Sequence, residues 1–379
     1  MFQNEGNKVI LQRAADKEQS VREDTLSRSS NVELLRIVCI LAIIAHHFSI
    51  FPNWDFDYNT ITFNRVFLQT LCIGGKLGVN CFLLISGYFL IGQKKRSLES
   101  ILKIWLQMFF YSVFIPLSFC LFGKQEINAQ TLILSIIPVT GQIWNYASSY
   151  FVLMLFVSFY NRFLQGLSKN EFQKLLWCFF CCWCFVPTIT GRSFESNYLI
   201  WMFVAYAIGA YIRLYPNKLT EAVKPALTGV AASFTLYVLS VIVLDVLGTH
   251  FLFLANNARE IRFGQMQMFP CVMMSISLFL LFKNLHIKSS RTINFLAKGV
   301  YGVYLIHEHP LIRELLWNQW FQNTKHYKDQ LLFLYVLFVV IIVFFFCETA
   351  EQLRICLLEK NYMPGIQRLC AWIKSRKNR

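Results

Sequence analysis

The residues with the clearest chemical potential are an arginine and a histidine in the first long apolar segment. Arg36 and His47 stand eleven residues apart in NVELLRIVCILAIIAHHFSI. At about 100° and 1.5 Å per residue, a helix places them within roughly 20° of one face and about 16 Å apart along its axis. Arginine binds phosphate through bidentate charge-assisted hydrogen bonds, and histidine acts as a base near neutral pH. One helix face is therefore predicted to carry both an anion-binding group and a base, and His46 points elsewhere.

The separation of this pair indicates a ligand that would span it. About 16 Å is on the scale of the pantetheine arm of coenzyme A, so one helix could hold both ends of an acyl-CoA. The structural alternative is an arginine that extends to lipid headgroups and a histidine that hydrogen-bonds between helices. Ionisable groups at membrane depth are costly and by default mark function. The residues alone nevertheless leave both interpretations open.

A second polar group follows in GVNCFLLISGYFLIGQKKR. Ser86 and Tyr88 offer hydroxyls within an apolar helix, and Gly87 permits close backbone approach. A basic cluster comes about two turns later and consists of Lys94, Lys95 and Arg96. Such a cluster is mainly a topology signal, but with Lys103 one helix further on it would complete an anion site.

A third polar group lies in the middle of KGVYGVYLIHEHPLIRELLW and comprises His307, Glu308 and His309. Three titratable groups in a row at membrane depth need partners or water. They predict either a functional site or a structural ion pair between Glu308 and a basic group on a neighbouring helix. Three acids nearer the ends of apolar segments are interpreted as structural, namely Asp245, Glu348 and Glu351. Of these, Glu351 can pair with Arg354 at i, i+3.

The composition indicates that these residues belong to a membrane protein. Of 379 residues, 56% are hydrophobic and 15% are charged, which leaves too little polar surface for a water-soluble globule of this size. Because unpaired backbone groups are costly in lipid, the uncharged runs predict an all-α polytopic bundle of about ten transmembrane helices. The predicted spans are 33–51, 72–92, 101–123, 144–165, 173–190, 196–214, 223–248, 265–284, 295–317 and 329–353.

The distribution of basic residues predicts the orientation of this bundle. Lysine and arginine concentrate in alternate loops and in the tail, and the opposite loops are poorer in both. The positive-inside rule then places both termini in the cytosol. The predicted organisation is a polar cytosolic tail over 1–30, a transmembrane domain over 31–356 and a basic cytosolic tail over 357–379. The stretch 127–143 leaves an extra or re-entrant helix open.

Several other classes of site are not predicted. The net charge of +15 is not gathered into one soluble basic domain with base-stacking aromatics, so no nucleic-acid partner is expected. The cysteine run WCFFCCWCF has no histidine to complete a ligand set and predicts buried thiols rather than a metal site. The oligomeric state carries no prediction.

Five segments in order resemble the acyltransferase-3 family of membrane O-acyltransferases, over about 31 to 354. Arg36 and His47 match its arginine, ten residues, histidine pattern, and GVNCFLLISGYFL matches its Ser-Gly-Tyr/Phe ending. WNYASSYFVLMLFVSFYN resembles its aromatic middle helix, FVAYAIGAYIRLYP its Tyr-x-x-Gly-x-Tyr-x-Arg helix, and GVYLIHEHPLIRELLW its Tyr-Leu-Ile-His run before proline. Two positions depart from the family: Glu33 replaces a frequent Asp, and Lys103 stands where some members have two arginines.

The resemblance implies a membrane O-acetyltransferase of the bacterial-type inner membrane. It would move an acyl group, most simply acetyl, from cytosolic acyl-CoA, a co-substrate and not a bound cofactor, to a hydroxyl of an extracytoplasmic polysaccharide or glycolipid. The base would be His47, and the CoA phosphates would be held by Arg36, Lys94, Lys95, Arg96 and Lys103. The oxyanion or the acceptor would be positioned by Ser86, Tyr88, His307, Glu308 and His309.

Two alternatives stay open. The acceptor either attacks the thioester directly or attacks an acyl-imidazole formed on His47. A multi-span transporter or flippase for a lipid-linked or small anionic substrate also has many spans with buried charges, although no two related halves are found in this sequence.

Overall fold

The computed structural model describes residues 30–57, 59–93, 96–122, 129–192, 198–251, 254 and 262–377. Within these ranges the chain forms helices and loops and no strand. Among the residues that the structure describes, eight segments are long and apolar enough to cross a membrane. Large apolar side chains are exposed on the outside of the bundle, as at Leu337 and Phe338, which are 55% and 56% exposed. The predicted all-α polytopic membrane bundle is thereby confirmed.

Most of the predicted spans coincide with helices, and three helices, α2, α5 and α15, lie outside them. In chain order they are α1 Ser30–Ile50, α2 Phe63–Leu71, α3 Ile73–Leu90, α4 Leu98–Leu121, α5 Ala129–Ile136, α6 Asn145–Gly166, α7 Lys169–Phe180, α8 Val186–Thr190, α9 Tyr198–Leu214, α10 Val223–His250, α11 Phe269–Asn284, α12 Arg291–His307, α13 Pro310–Glu314, α14 Leu332–Arg354 and α15 Lys360–Lys377. A π-helical segment, Cys181–Phe185, joins α7 to α8, and two others, Leu315–Trp320 and Ile355–Glu359, follow α13 and α14.

Two of the predicted spans are short helices. Both α9 and α12 have 17 residues, which is about 25 Å of helix against a hydrocarbon thickness of about 30 Å. The stretch 127–143 contains α5, whose 8 residues are too few to span a bilayer. The cytosolic orientation of the termini stays a prediction.

The predicted span 295–317 is wrong as a single helix, because the chain breaks between α12 and α13. Proline lacks an N–H and disfavours the helical conformation of the residue before it. His309, directly before Pro310, accordingly has φ −62° and ψ 132°. Its imidazole accepts a hydrogen bond from the amide of Leu311 and caps the next helix. The three polar residues therefore lie at a corner inside the bundle, not along one helix face.

Helix α1 lies at the centre of the bundle and packs against α3, α11, α12 and α14. Glycines of α3 allow the closest of these approaches. A Cβ on Gly74 would overlap the carbonyl of Ala42, and one on Gly78 would lie 3.0 Å from Cys39 O. Small residues are the usual means by which membrane helices pack closely. They fix α3 against the helix that carries Arg36 and His47.

Buried acidic side chains join helices at two places in the described part of the bundle. Asp245 of α10 accepts a hydrogen bond from Arg65 of α2 at 2.6 Å, and both side chains are almost completely buried. Glu351 pairs with Arg354 at 2.8 Å, as the i, i+3 spacing predicts, and also accepts a hydrogen bond from Tyr111 of α4 at 2.5 Å. These contacts support the structural interpretation of Asp245 and Glu351.

Replacing Asp245 with alanine is expected to lower the stability of the bundle strongly. Loss of one member of a buried pair leaves the other charge buried without its counter-ion, at a cost of about 3–5 kcal/mol. The matched control is Asp329→Ala, which breaks a solvent-exposed pair with His326 and should matter little. Thermal unfolding of both purified variants in detergent is the measurement. Equal melting temperatures for the two would contradict the structural role of Asp245.

The prediction of buried thiols in the cysteine run is only partly correct. Cys184 is buried, but Cys178 and Cys181 are exposed on the outer surface of the bundle, beside Trp177, which is 64% exposed. The run therefore faces outward for the same reason as the surrounding aromatics, namely that its apolar side chains are compatible with lipid. Among the described residues, no group of three His, Cys, Asp or Glu side chains could hold a metal ion.

Candidate active site

Arg36 and His47 lie on the face that α1 turns toward α12. Arg36 and Ile43 line one cavity together with residues of α12. His47, one turn beyond Ile43, hydrogen-bonds His307, the last residue of α12. The side chain of Arg36 is 33% exposed and that of His47 is 8% exposed. Both residues therefore face the same neighbouring helix, and neither is turned toward lipid.

The cavity beside Arg36, which we call the Arg36 cavity, has a volume of about 310 Å³ and lies between α1, α3, α4, α6 and α12. Its basic residues are Arg36, Arg96, Lys103 and Lys298, and its tyrosines are Tyr146, Tyr150, Tyr301 and Tyr304. Within the described ranges, Glu33 is the one acid in its wall. The excess of positive charge suits an anionic ligand.

Acidic partners neutralise only part of this charge. The Glu33 carboxylate lies 3.8 Å from Arg36 Nε, and Lys103 contacts Glu359 behind the wall. Of the residues predicted to hold phosphates, the structure brings together Arg36, Arg96 and Lys103. The other two, Lys94 and Lys95, lie outside the residues that the structure describes.

Ser86 also lines the Arg36 cavity. Its hydroxyl donates to Phe82 O at 2.8 Å, so the Tyr150 hydroxyl, 3.1 Å away, is the donor to Ser86. Tyr150 stacks on Tyr146 with ring centroids 5.7 Å apart, and Tyr146 meets Tyr304 edge-on at 5.4 Å. This wall combines apolar ring faces with a few hydroxyls, which is typical of surfaces that bind extended organic ligands.

The hydrogen bonds of His47 and His307 fix the tautomer of His47. His307 Nδ1 lies 2.5 Å from Val303 O, and a carbonyl only accepts, so His307 Nδ1 carries a hydrogen. Neutral His307 then accepts at Nε2, which makes His47 Nδ1, 2.9 Å away, the donor. His47 Nε2 is left with its lone pair, the form that a general base requires.

Glu308 places a carboxylate beside the same imidazole. Its Oε2 lies 3.2 Å from His47 Nδ1, and its Oε1 lies 3.4 Å from the guanidinium of Arg313. Arg313 in turn covers the ring of Phe51 at 4.5 Å, and Phe51 packs against His47 with centroids 4.9 Å apart. A positive charge that forms on His47 would therefore lie next to an oriented carboxylate.

Tyr304 joins the Arg36 cavity to the His47–His307 pair. It lines the cavity and meets the ring of His307 edge-on, with centroids 6.2 Å apart. An extended ligand with its charged end at Arg36 would pass Tyr304 to reach His47, over about 16 Å of α1. The order of Arg36, Tyr304 and His47 along this face therefore suits an extended anionic ligand.

A second cavity, the Lys76 cavity, has a volume of about 470 Å³ and lies toward the other end of α1. His46 borders it and donates from Nδ1 to Cys72 O at 2.6 Å. The imidazoles of His46 and His47 are 5.3 Å apart between centroids. His46 therefore connects the wall of the Lys76 cavity to His47.

Two predicted site residues are not part of this group. The hydroxyl of Tyr88 accepts a hydrogen bond from Arg213 at 3.3 Å, and its ring packs against Phe279, so it faces away from the Arg36 cavity. His309 is buried, but its ring packs edge-on against Trp144. Its observed role is the helix cap described above.

Three features of the site were missed in the sequence. Lys298, at the start of α12, adds a fourth basic residue to the Arg36 cavity. The tyrosines Tyr301 and Tyr304 follow it at helical spacing in KGVYGVY, which was a usable signal of one functional face. Lys76, in the first turn of α3, is an ionisable group in an apolar span, which is the same kind of signal as the histidines of α1.

The comparison with family models identifies the family of the chain. A model described as an acyltransferase domain, that of the acyltransferase-3 family, matches residues 29–348. Comparisons with curated proteins and with solved structures found no match. The match covers most of the chain and includes α1, the Arg36 cavity and the corner between α12 and α13, whereas the transporter alternative has no comparable support. The chain therefore belongs to the acyltransferase-3 family and is a membrane acyltransferase.

Proposed function

We propose that the protein transfers an acyl group, most simply acetyl, from acyl-CoA to a hydroxyl of a polysaccharide or glycolipid outside the cytoplasm. The main support is the Arg36 cavity, with four basic residues in its wall and Tyr304 leading from it toward His47. If the positive-inside orientation is right, the N-terminal end of α1 faces the cytosol, where acyl-CoA is available. The membrane would be a bacterial-type inner membrane.

In this proposal Arg36, Arg96, Lys103 and Lys298 bind the phosphates of CoA, and the arm lies along the tyrosines toward His47. The acceptor hydroxyl attacks the thioester carbonyl while His47 Nε2 takes the hydroxyl proton. The C–O bond forms, the tetrahedral oxyanion collapses with cleavage of the C–S bond, and the CoA thiolate takes the proton back from His47. The products are an ester and CoA. The acyl-imidazole route divides this exchange into two steps at the same nitrogen.

Glu308 and His307 are positioning residues in this mechanism. Both lie against His47 Nδ1 and keep the lone pair on Nε2, as the acid of a catalytic triad does for its histidine. The Glu308 carboxylate would also stabilise the imidazolium that forms during attack. Ser86 and the Tyr150 hydroxyl that donates to it lie in the cavity wall and would contact the pantetheine arm or the acyl group.

The test is acyl transfer by the purified chain in lipid nanodiscs or proteoliposomes. Acetyl-CoA labelled in the acetyl group is supplied on one side, with membranes or glycan of the source cells as acceptor. The expected result is a base-labile ester on the glycan and stoichiometric release of CoA. Transport of label across the bilayer without ester formation would overturn the proposal and support a carrier. Labelling by succinyl-CoA instead would correct the acyl group alone.

Glu308→Gln is expected to lower the turnover number about tenfold and to leave the KM for acyl-CoA nearly unchanged. The amide keeps the shape of the side chain but removes the charge that stabilises the imidazolium, and a hydrogen bond to a charged group contributes about 1.5–3 kcal/mol. Steady-state kinetics with Glu314→Gln as control measure the effect, because Glu314 lies nearby but bonds Asn318 at the surface. A raised KM with unchanged turnover would contradict the positioning role.

A further inference from the structure

Lys76 carries a charge in the first turn of the apolar helix α3. Among the described residues, its contact is the face of the Tyr198 ring, with Nζ 5.8 Å from the centroid. The carboxylate of Glu308 contacts Arg313 and His47. An ionisable group at this depth is costly unless it meets an opposite charge or water. The position of Lys76 therefore suits an anionic ligand that reaches it through a cavity.

The wall of the Lys76 cavity combines an aromatic surface with hydrogen-bonding groups. The rings of Trp54 and Phe56 stack within 4° of parallel, with centroids 6.1 Å apart. The indole N–H of Trp54 donates a hydrogen bond to Ser49 O at 2.6 Å, which fixes the ring. Asn53 and Gln265 add side-chain amides. Flat apolar faces beside amides and a charge are suited to a sugar ring, whose faces are apolar and whose edge carries hydroxyls.

The Lys76 cavity also lies close to His47. Its volume of about 470 Å³ is within the usual range for ligand pockets. His46 borders it, and the ring of His46 lies 5.3 Å from the ring of His47 between centroids. Acyl-CoA approaching from the Arg36 cavity and a sugar in the Lys76 cavity would therefore meet at the two adjacent histidines of α1.

From these observations we infer that the Lys76 cavity binds the acceptor and selects glycans that carry an anionic group, a carboxylate or a phosphate, with Lys76 as its counter-ion. The inference rests on the proposed function and adds the charge of the acceptor to it. Trp54 and Phe56 pack against the sugar ring. The ion pair with the ammonium of Lys76 fixes the position of the ring, so that one particular hydroxyl lies at His47. A neutral glycan would leave the Lys76 charge without a counter-ion in the complex.

The experiment uses membranes of the source cells, which contain the natural acceptor, and acetyl-CoA labelled in the acetyl group. The labelled glycan is separated by anion exchange before and after its lipid is removed. The labelled glycan is expected to bind to the anion-exchange column. Charge lost with the lipid identifies the phosphate of a lipid carrier, charge removed by a phosphatase identifies a sugar phosphate, and charge removed by carboxyl reduction identifies a carboxylate. A labelled glycan that is neutral in both separations overturns the inference and leaves the proposed function intact.

Variants of Lys76 connect this charge to the cavity. Lys76→Gln is expected to raise the KM for the acceptor about tenfold and to leave the KM for acyl-CoA unchanged, and Lys76→Arg should restore most of the affinity. Lys325→Gln is the control, because Lys325 is exposed in the segment whose Tyr327 packs on Trp54 and Phe56. An unchanged acceptor KM in Lys76→Gln overturns the inference. Absence of any transfer by wild-type membranes would instead refute the proposed function, and this inference with it.

Discussion

His47→Asn is expected to fold and insert normally and to lose acyl transfer by about 10²–10⁴-fold, the usual contribution of a general base. Asparagine places an amide N–H near the position of His47 Nδ1. It can therefore keep the hydrogen bond to His307 Nε2, which is 2.9 Å long in the wild-type protein. It has no group at the position of Nε2. The variant thus removes the proposed base and preserves the contact that holds α1 against α12.

The measurement is the rate of ester formation with labelled acetyl-CoA, together with the affinity of the variant for CoA. His286→Asn is the control, because His286 is exposed in the loop between α11 and α12. His46→Asn is expected to keep part of the activity, since His46 borders the second cavity and bonds Cys72 O. Wild-type rates in the His47 variant, with its fold intact, would remove the base assignment.

Arg36→Ala is expected to weaken acyl-CoA binding about tenfold to hundredfold. A hydrogen bond between charged groups contributes about 1.5–3 kcal/mol, and the neighbouring cations of the Arg36 cavity retain part of the attraction. Arg36→Lys should have an intermediate effect, because lysine keeps the charge but not the bidentate geometry. Turnover at saturating acyl-CoA should fall much less than in the His47 variant.

Titration of the solubilised variants with CoA checks this expectation. Arg162→Ala is the matched control, since Arg162 is an exposed arginine near the C-terminal end of α6 and packs over Phe159. Comparable loss of affinity in Arg162→Ala would indicate a general effect of surface charge. Unchanged affinity in Arg36→Ala would contradict the phosphate-binding role.

The sequence predicted those features that depend on local periodicity. Uncharged runs located the helices, because a membrane span needs about twenty apolar residues. The eleven-residue spacing placed Arg36 and His47 on one face of α1, because helical geometry depends only on the residues between them. Because Tyr88 stands two residues after Ser86, the same helical geometry should also have placed the two side chains on different faces of α3. In the structure the Tyr88 hydroxyl accordingly bonds Arg213.

Features that depend on contacts between distant segments could not be predicted in this way. His47 meets His307 across 260 positions, and periodicity carries no information about which helix faces which. The Lys76 cavity depends on α3, the loop after α1 and Gln265 meeting at one place. The corner at His309 could have been predicted from the sequence, because Pro310 cannot donate the helical hydrogen bond that a continuous span would need.

The proposed mechanism depends on one placement, in which the phosphates of acyl-CoA lie at Arg36 and its acyl group lies at His47. A cryo-EM structure with an unreactive acetyl-CoA analogue, its thioester sulfur replaced by methylene, tests this placement directly. We predict phosphate density beside Arg36, Arg96 and Lys103, and an acyl carbonyl within reach of His47 Nε2. Nucleotide density elsewhere, with none in the Arg36 cavity, would contradict it.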